Sequence, residues 1–209
     1  MNALIRRDDS AIRLWLVCCL LLVAAMVLVG GYTRLSGSGL SITEWKPVHG
    51  VIPPLNMQEW QEEFDAYRAS PQYLKINRGM SLSEFKTIFW PEYWHRVLGR
   101  LIGTVFLFPL LFFAMRRSMT KRFGWRLAGI FALGGLQGLI GWIMVQSGLV
   151  DAPYVSHLKL ALHLSLAFAI FGLLLWAMMD VVASRQAPVA RVGVLGAGDW
   201  RPGTCFLWL

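Results

Sequence analysis

The sequence contains few cysteines and few acidic residues. Three cysteines occur among 209 residues, and 12 aspartates and glutamates stand against 20 lysines and arginines. Cys18 and Cys19 are adjacent in an apolar stretch, and Cys205 lies near the C-terminus. Neighbouring residues point in different directions from a helix, so these positions predict neither a disulfide framework nor a CxxC metal site.

Charge of either sign is scarce, whereas long apolar runs are abundant. Charged residues make up 15% of the chain, hydrophobic residues 56%, and the mean hydropathy is +0.52. That composition excludes an ordinary soluble domain. A membrane-spanning helix needs about 20 apolar residues, and four stretches qualify: roughly 12–31, 93–115, 125–145 and 158–179. The sequence therefore predicts an all-α membrane protein, a four-transmembrane-helix bundle with its first span retained.

Basic residues are distributed unevenly between the predicted spans. The segment between spans two and three has five of them and no acid: Arg116, Arg117, Lys121, Arg122 and Arg126. The segment 147–156, before span four, has none. Because basic loops stay in the cytoplasm, we expect both termini inside, and segments 32–92 and 147–156 outside. This rule accounts for the formal charge of +8 without a nucleic-acid partner.

The first outer loop, about 32–92, is long enough to carry structure of its own. Asn56, followed by Glu59, predicts a helix N-terminus. Trp60, Phe64 and Tyr67 then share one helical stripe, which predicts a short amphipathic helix, either on the membrane surface or packed on other loop residues.

A second helix start and an irregular tail flank the spans. Ser81 and Glu84 form a capping-box pattern, and Pro91 fits the first turn of span two. Residues 184–209 show no span and no clear periodicity, and their "GVLGAG" lacks the strand–turn–helix context of a nucleotide loop.

Two of the four histidines are placed to face each other. His95 and His163 lie at similar depth near the outer ends of spans two and four, which run in the same direction. His157 is six residues before His163, about 240° round the helix, so the two do not share a face. His49 lies in a Gly/Pro-rich loop and is expected to be a surface residue.

A pair of facing imidazoles suits one haem iron with two axial ligands. Zinc is disfavoured because no third or fourth ligand is in view. The alternative is that His95 and His163 are satisfied core or interfacial histidines.

Charged residues near the pair are further candidates. Glu92 is three residues before His95, on the same helix face; it either favours the helix N-terminus or reaches the chemistry at the haem edge. Arg96, Arg100, Arg34 and Lys46 are candidate partners for haem propionates or for lipid phosphates.

Four long motifs resemble one family: "GGYTRLSGSGLSITEWKPVHGVIPPL", "NRGMSLSEFKTIFWPEYWHRVLGRLIG", "QGLIGWIMVQSGL" and "VSHLKLALHLSLAF". Together they are similar to the proteobacterial and mitochondrial branch of the haem A synthase family, over residues 12 to about 179. The resemblance implies a bacterial inner-membrane protein with its haem site towards the periplasm. It implies oxidation of a haem O methyl group to the formyl group of haem A by successive hydroxylation, with loss of water from the hydrated aldehyde.

The resemblance also implies residue roles. Glu92 matches a glutamate implicated in the reaction, and His95 and His163 match a ligand pair, whereas His157 has no axial role. Some members carry a cysteine pair in the first outer loop; this chain has none there, which excludes a thiol role.

Family members have eight spans in two four-helix halves, each with a histidine pair. This sequence matches the N-terminal half, so we expect haem b of the second half, and electron delivery through it, to be missing. The resemblance implies haem O, the lipid bilayer, haem O synthase and an electron-transfer protein as partners, and leaves self-association open. The rival functions are a b-type cytochrome that only carries electrons and a transport or assembly subunit without haem.

Overall fold

The structure, a computed structural model, describes residues 9–44, 49–150 and 152–186. Its helices are α1 (Asp9–Leu35), α2 (Met57–Arg68), α3 (Pro71–Lys75), α4 (Leu82–Met115), α5 (Lys121–Leu149) and α6 (His157–Gln186), with a 3₁₀ turn at His49–Val51. The described residues contain no strand, so the predicted all-α class is confirmed. The predicted irregular tail beyond Gln186 and the side chain of His49 lie outside the described residues.

Helices α1, α4, α5 and α6 are long and apolar enough to cross a membrane, and each contains one predicted span. The chain is therefore a multi-pass membrane protein. Helix α4 begins eleven residues before the predicted span, because the Ser81–Glu84 capping box starts the helix there, as expected. Pro91 consequently lies inside α4 and not in its first turn.

The four long helices form an up-and-down bundle. Helix α1 packs against α4 and α6, and α5 packs against the same two helices, so that α4 and α6 lie diagonally opposite. Buried apolar residues fill one end of the bundle, at 12–23 of α1, 106–113 of α4, 123–130 of α5 and 170–181 of α6. This end contains the connection between α4 and α5, so the histidines lie towards the other end.

The other end is covered by the segment between α1 and α4. Asn56 caps α2 by accepting from Glu59 N at 2.9 Å, as predicted. The predicted stripe of Trp60, Phe64 and Tyr67 is buried against the start of α4. Of the two alternatives for α2, packing on other loop residues is therefore the one that the structure shows. We call the result the outer cluster; it consists of Trp60, Phe64, Tyr67, Phe85, Phe89 and Tyr93.

Candidate functional site

A loosely packed layer lies between the packed end of the bundle and the outer cluster. It comprises residues 24–32 of α1, 94–105 of α4, 131–147 of α5 and 157–169 of α6, and none of these residues is buried. Interiors normally pack as densely as organic crystals, and the side chains of this layer are less enclosed than those of the packed end. We interpret the layer as the position of a bound group.

His95 and His163 enter the open layer from opposite helices, α4 and α6. Both are half-buried, and each belongs to one of the two helices that lie diagonally opposite in the bundle. The structure thus places in one layer the two histidines that the sequence predicts to face each other. Their diagonal placement leaves α1 and α5 on either side.

Each imidazole lies against a glycine of a flanking helix. A Cβ atom added to Gly30 of α1 would lie 3.1 Å from His95 Nε2, and one added to Gly141 of α5 would lie 2.8 Å from His163 Cε1. Any larger residue at either position would displace the imidazole. The glycines therefore let the flanking helices approach the histidines closely.

Nδ1 of His163 and Oε1 of Gln137 lie in the open layer and are buried without a hydrogen-bond partner in the part of the chain that the structure describes. An unpaired buried polar atom typically costs about 1–3 kcal/mol. Such atoms in a native fold call for an explanation, and a ligand that completes the site is one.

The donor set fits an iron porphyrin. Among residues 9–44, 49–150 and 152–186, no group of three or more His, Cys, Asp or Glu side chains is placed to hold a metal ion. A porphyrin supplies four ligands to iron itself, so two protein imidazoles are sufficient. The open layer and the unpaired Nδ1 of His163 agree with this requirement.

Glu92 lies one turn nearer the outer end of α4 than His95, and Glu92 is only 3% exposed. Its Oε2 accepts from Ser41 N at 2.7 Å, Ser41 Oγ at 2.7 Å and Ile42 N at 3.0 Å. The carboxylate thereby binds the end of the chain segment that leaves α1. Stabilisation of the helix N-terminus does not explain the glutamate at this position, because Glu92 lies well beyond the first turn of α4, which begins at Leu82.

Arg96 completes this cluster one turn further along α4. Its Nη2 and Nε donate to Glu92 Oε1 at 2.6 and 3.2 Å, and its Nη2 and Nη1 donate to the carbonyls of Ile42 and Glu44 at 2.8 and 3.1 Å. The guanidinium is thus already occupied by protein acceptors. A haem propionate would have to share it.

The other predicted residues lie at different distances from the pair. Arg34 is half-exposed in the last turn of α1, and Arg100 is half-buried one turn beyond Arg96. His157 is exposed at the start of α6, in agreement with its predicted separation from His163. Lys46 lies outside the described residues.

The chain matches the COX15-CtaA family, described as cytochrome oxidase assembly protein, over residues 13–199. It belongs to this family. It is 52% identical over 188 residues to the "Heme A synthase" of Nitrosospira multiformis, covering 90% of this chain and 53% of that protein. It is 53% identical over 188 residues to the "Heme A synthase" of Parvibaculum lavamentivorans, covering 89% and 55%.

The chain spans about half the length of these curated relatives. No solved structure matches it. The resemblance that the sequence motifs indicate is therefore confirmed at the level of the family.

Several site residues of this family member escape sequence reasoning. Gly30 and Ser41 act through close backbone approach or backbone N–H donation, which spacing does not reveal. Gly141 follows Gly134 and Gly138, whose spacing predicts close helix contact, but the spacing does not identify His163 as its neighbour. Gln137 offers a signal, since a polar amide within a predicted span is a functional candidate by default.

Proposed function

We propose that this chain binds haem O in the open layer, with His95 and His163 as the two axial ligands, and forms the haem-holding part of a haem A synthase. The observation that carries the proposal is the open layer itself, which has a histidine on either side. The identity of over 50% to relatives named heme A synthase supports the choice of haem O.

The proposed reaction converts a ring methyl of haem O to the formyl group of haem A by successive hydroxylation and loss of water. The haem supplies the redox chemistry, and the protein supplies binding and orientation. In this chain, Gly30 and Gly141 bring α1 and α5 against the two imidazoles. The outer cluster covers the site and limits the entry of water.

Glu92 is proposed as the charged group beside the reacting methyl. Five donor contacts reach its carboxylate, whereas a carboxylate offers about four lone-pair sites. With its acceptor capacity filled, it is better suited to stabilise positive charge on an intermediate than to carry a proton. Pre-organised charge of this kind is an effective means of lowering a barrier.

The proposed location is the bacterial inner membrane, with both termini cytoplasmic and the haem site towards the periplasm. The five basic residues at positions 116–126, in the connection after α4 and the first turns of α5, support this orientation. Arg34 and Arg100 are proposed to pair with propionates, with Arg96 shared between a propionate and Glu92. Haem O synthase and an electron-transfer protein remain proposed partners.

One observation favours a b-type cytochrome as the second candidate. The Glu92 carboxylate joins Ser41, Ile42 and Arg96 into one cluster, which a purely structural role would also require. To separate the two, this chain would replace the matching segment of the Nitrosospira multiformis relative, and haem A would be measured after extraction. Glu92→Gln should load haem but yield little haem A, whereas Ser41→Ala, which loosens the same cluster and keeps the carboxylate, should yield haem A.

The haem site is tested on the purified chain by absorbance and pyridine haemochrome after incubation with haem O. His95→Ala and His163→Ala should each abolish the low-spin two-histidine spectrum. The matched control is His157→Ala, because His157 is exposed on the same helix as His163. Equal loss in all three variants, or no haem in the parent chain, would overturn the assignment.

A further inference from the structure

We propose that Gln137 orients His163 for the iron: its Oε1 accepts a hydrogen bond from Nδ1–H of His163 when Nε2 of that imidazole is bound to haem. The inference rests on the proposed function and assigns a positioning residue to its site. Gln137 does not touch the iron; it acts through His163.

An axial imidazole has one nitrogen on the metal and carries its proton on the other. That second N–H almost always donates to a carbonyl, a carboxylate or water, which fixes the tautomer and the ring orientation. In this structure Nδ1 of His163 is buried and makes no hydrogen bond among the described residues, and the backbone of Gln137 lies near the imidazole. Ligation through Nε2 therefore needs an acceptor at this point of α5, where Gln137 offers its side-chain Oε1 as well as its main chain.

Gln137 is held next to His163 by an existing contact. Its Nε2 donates to the backbone carbonyl of His163 at 3.0 Å. Gly141 lies one turn further along α5, and a Cβ atom there would be 3.4 Å from Nδ1 of His163. The His163 imidazole of α6 thus lies against the face of α5 that carries both Gln137 and Gly141.

The unpaired atoms of the two residues are complementary. Oε1 of Gln137 is an acceptor, is buried, and has no donor within the described ranges; a protonated Nδ1 is a donor. The terminal torsion of a glutamine is soft, so rotation of the amide and of the imidazole can bring the two atoms together. One bond then satisfies both.

The amide assignment is consistent with this geometry. A flipped amide would place Oε1 against the carbonyl oxygen of His163, where two acceptors would meet without a proton. The Nε2 contact to that carbonyl therefore leaves Oε1 as the free end. Only this end is available to the imidazole.

The test is the midpoint potential and affinity of haem O bound to the full 209-residue chain in detergent. A hydrogen bond to Nδ1–H makes the ligand more basic and so favours ferric iron. Gln137→Leu should raise the potential and weaken haem binding by roughly 10–100-fold. Gln137→Glu supplies a stronger acceptor and should lower the potential below that of the parent chain.

Both variants lose the hydrogen bond from Gln137 Nε2 to the His163 carbonyl, so a purely structural role would shift the midpoint potential in the same direction in both. Shifts in opposite directions therefore indicate that Gln137 positions His163. The matched control is Gln61→Leu, an exposed glutamine of α2 outside the open layer, which should shift nothing. Shifts of the same sign in both Gln137 variants, or no shift in either, would overturn the role of Gln137. Unchanged haem O binding by the His163→Ala variant would overturn the proposed site instead.

Discussion

Two levels of the same bundle differ in whether their buried polar groups have hydrogen-bond partners. Around Glu92, at the outer end, both carboxylate oxygens and the Arg96 guanidinium are bonded to neighbouring protein groups. Around His163, in the open layer, Nδ1 of the histidine and Oε1 of Gln137 are buried without a partner within the described chain. The first arrangement is complete by itself, and the second needs a ligand.

The difference separates groups that hold the fold from groups that hold the haem. The Glu92 cluster joins α4 to the segment after α1, and it has no need of haem to be stable. The histidine pair lies where all four helices lack buried residues, so its order is expected to depend on the ligand. Variants at the outer end should therefore affect stability first, and variants in the open layer should affect haem affinity first.

The largest stability effect is expected from Glu92→Gln. The substitution removes a buried charge and leaves the Arg96 guanidinium, 18% exposed in its side chain, without its ion partner. Removing one member of a buried pair costs about 3–5 kcal/mol, and the partial exposure of Arg96 places the expected loss near the lower end. Thermal unfolding of the haem-free chain, followed by tryptophan fluorescence, measures it.

The matched control is Glu62→Gln, because Glu62 is an exposed glutamate of α2 whose contact is with Gln58. It should change the free energy of unfolding by less than about 0.5 kcal/mol. Equal stability of the Glu92→Gln and Glu62→Gln proteins would remove the distinction between the two levels.

A smaller effect is expected from Tyr67→Phe in the outer cluster. The Tyr67 hydroxyl donates to Gln72 Oε1 at 3.1 Å and accepts from Asn77 Nδ2 at 2.7 Å, and burial raises its pKa. Loss of the hydroxyl leaves Gln72 Oε1 unpaired, at a cost of about 1–3 kcal/mol. Haem affinity should stay that of the parent chain, and a fall in affinity with no change in unfolding would contradict the separation of roles.

The long helices could be predicted from sequence because an apolar run of 20 residues has few other uses. The capping box predicted the helix start at Leu82, but not that this helix runs without a break into span two, since residues 82–92 are less apolar and Pro91 fits a helix start equally well. The segment after α1 contacts this turn of α4: the Ser41 hydroxyl shares its one proton between Glu92 Oε2 at 2.7 Å and the Ile88 carbonyl at 3.1 Å, and the Thr33 hydroxyl lies 3.2 Å from the Pro91 carbonyl. These contacts support the helix where Pro91 lacks an N–H. These contacts are between residues more than 40 positions apart.

The histidine pair could be predicted because depth along parallel helices follows from counting residues. The surroundings of the pair depend on how each helix is rotated about its axis, which spacing does not give. Gly134 and Gly138 have the four-residue spacing typical of helix contacts, yet within the described chain nothing lies within 4 Å of a Cβ placed on either. Gly141 makes the close approach instead.

The smallest effect, and the sharpest test of the comparison, is expected from Gly141→Ala. Alanine is favoured over glycine in a helix by about 0.8–1 kcal/mol, but here its Cβ would lie 2.8 Å from Cε1 of His163, so the imidazole must move. Haem O affinity should fall about tenfold, equivalent to about 1.4 kcal/mol, while the haem-free chain unfolds at the same temperature or higher. The control is Gly129→Ala on the same helix, where nothing among the described residues lies within 4 Å of the new Cβ; it should raise stability and leave affinity unchanged. Equal haem affinity in the two variants, by titration in detergent, would mean that the close approach of α5 to His163 does not shape the site.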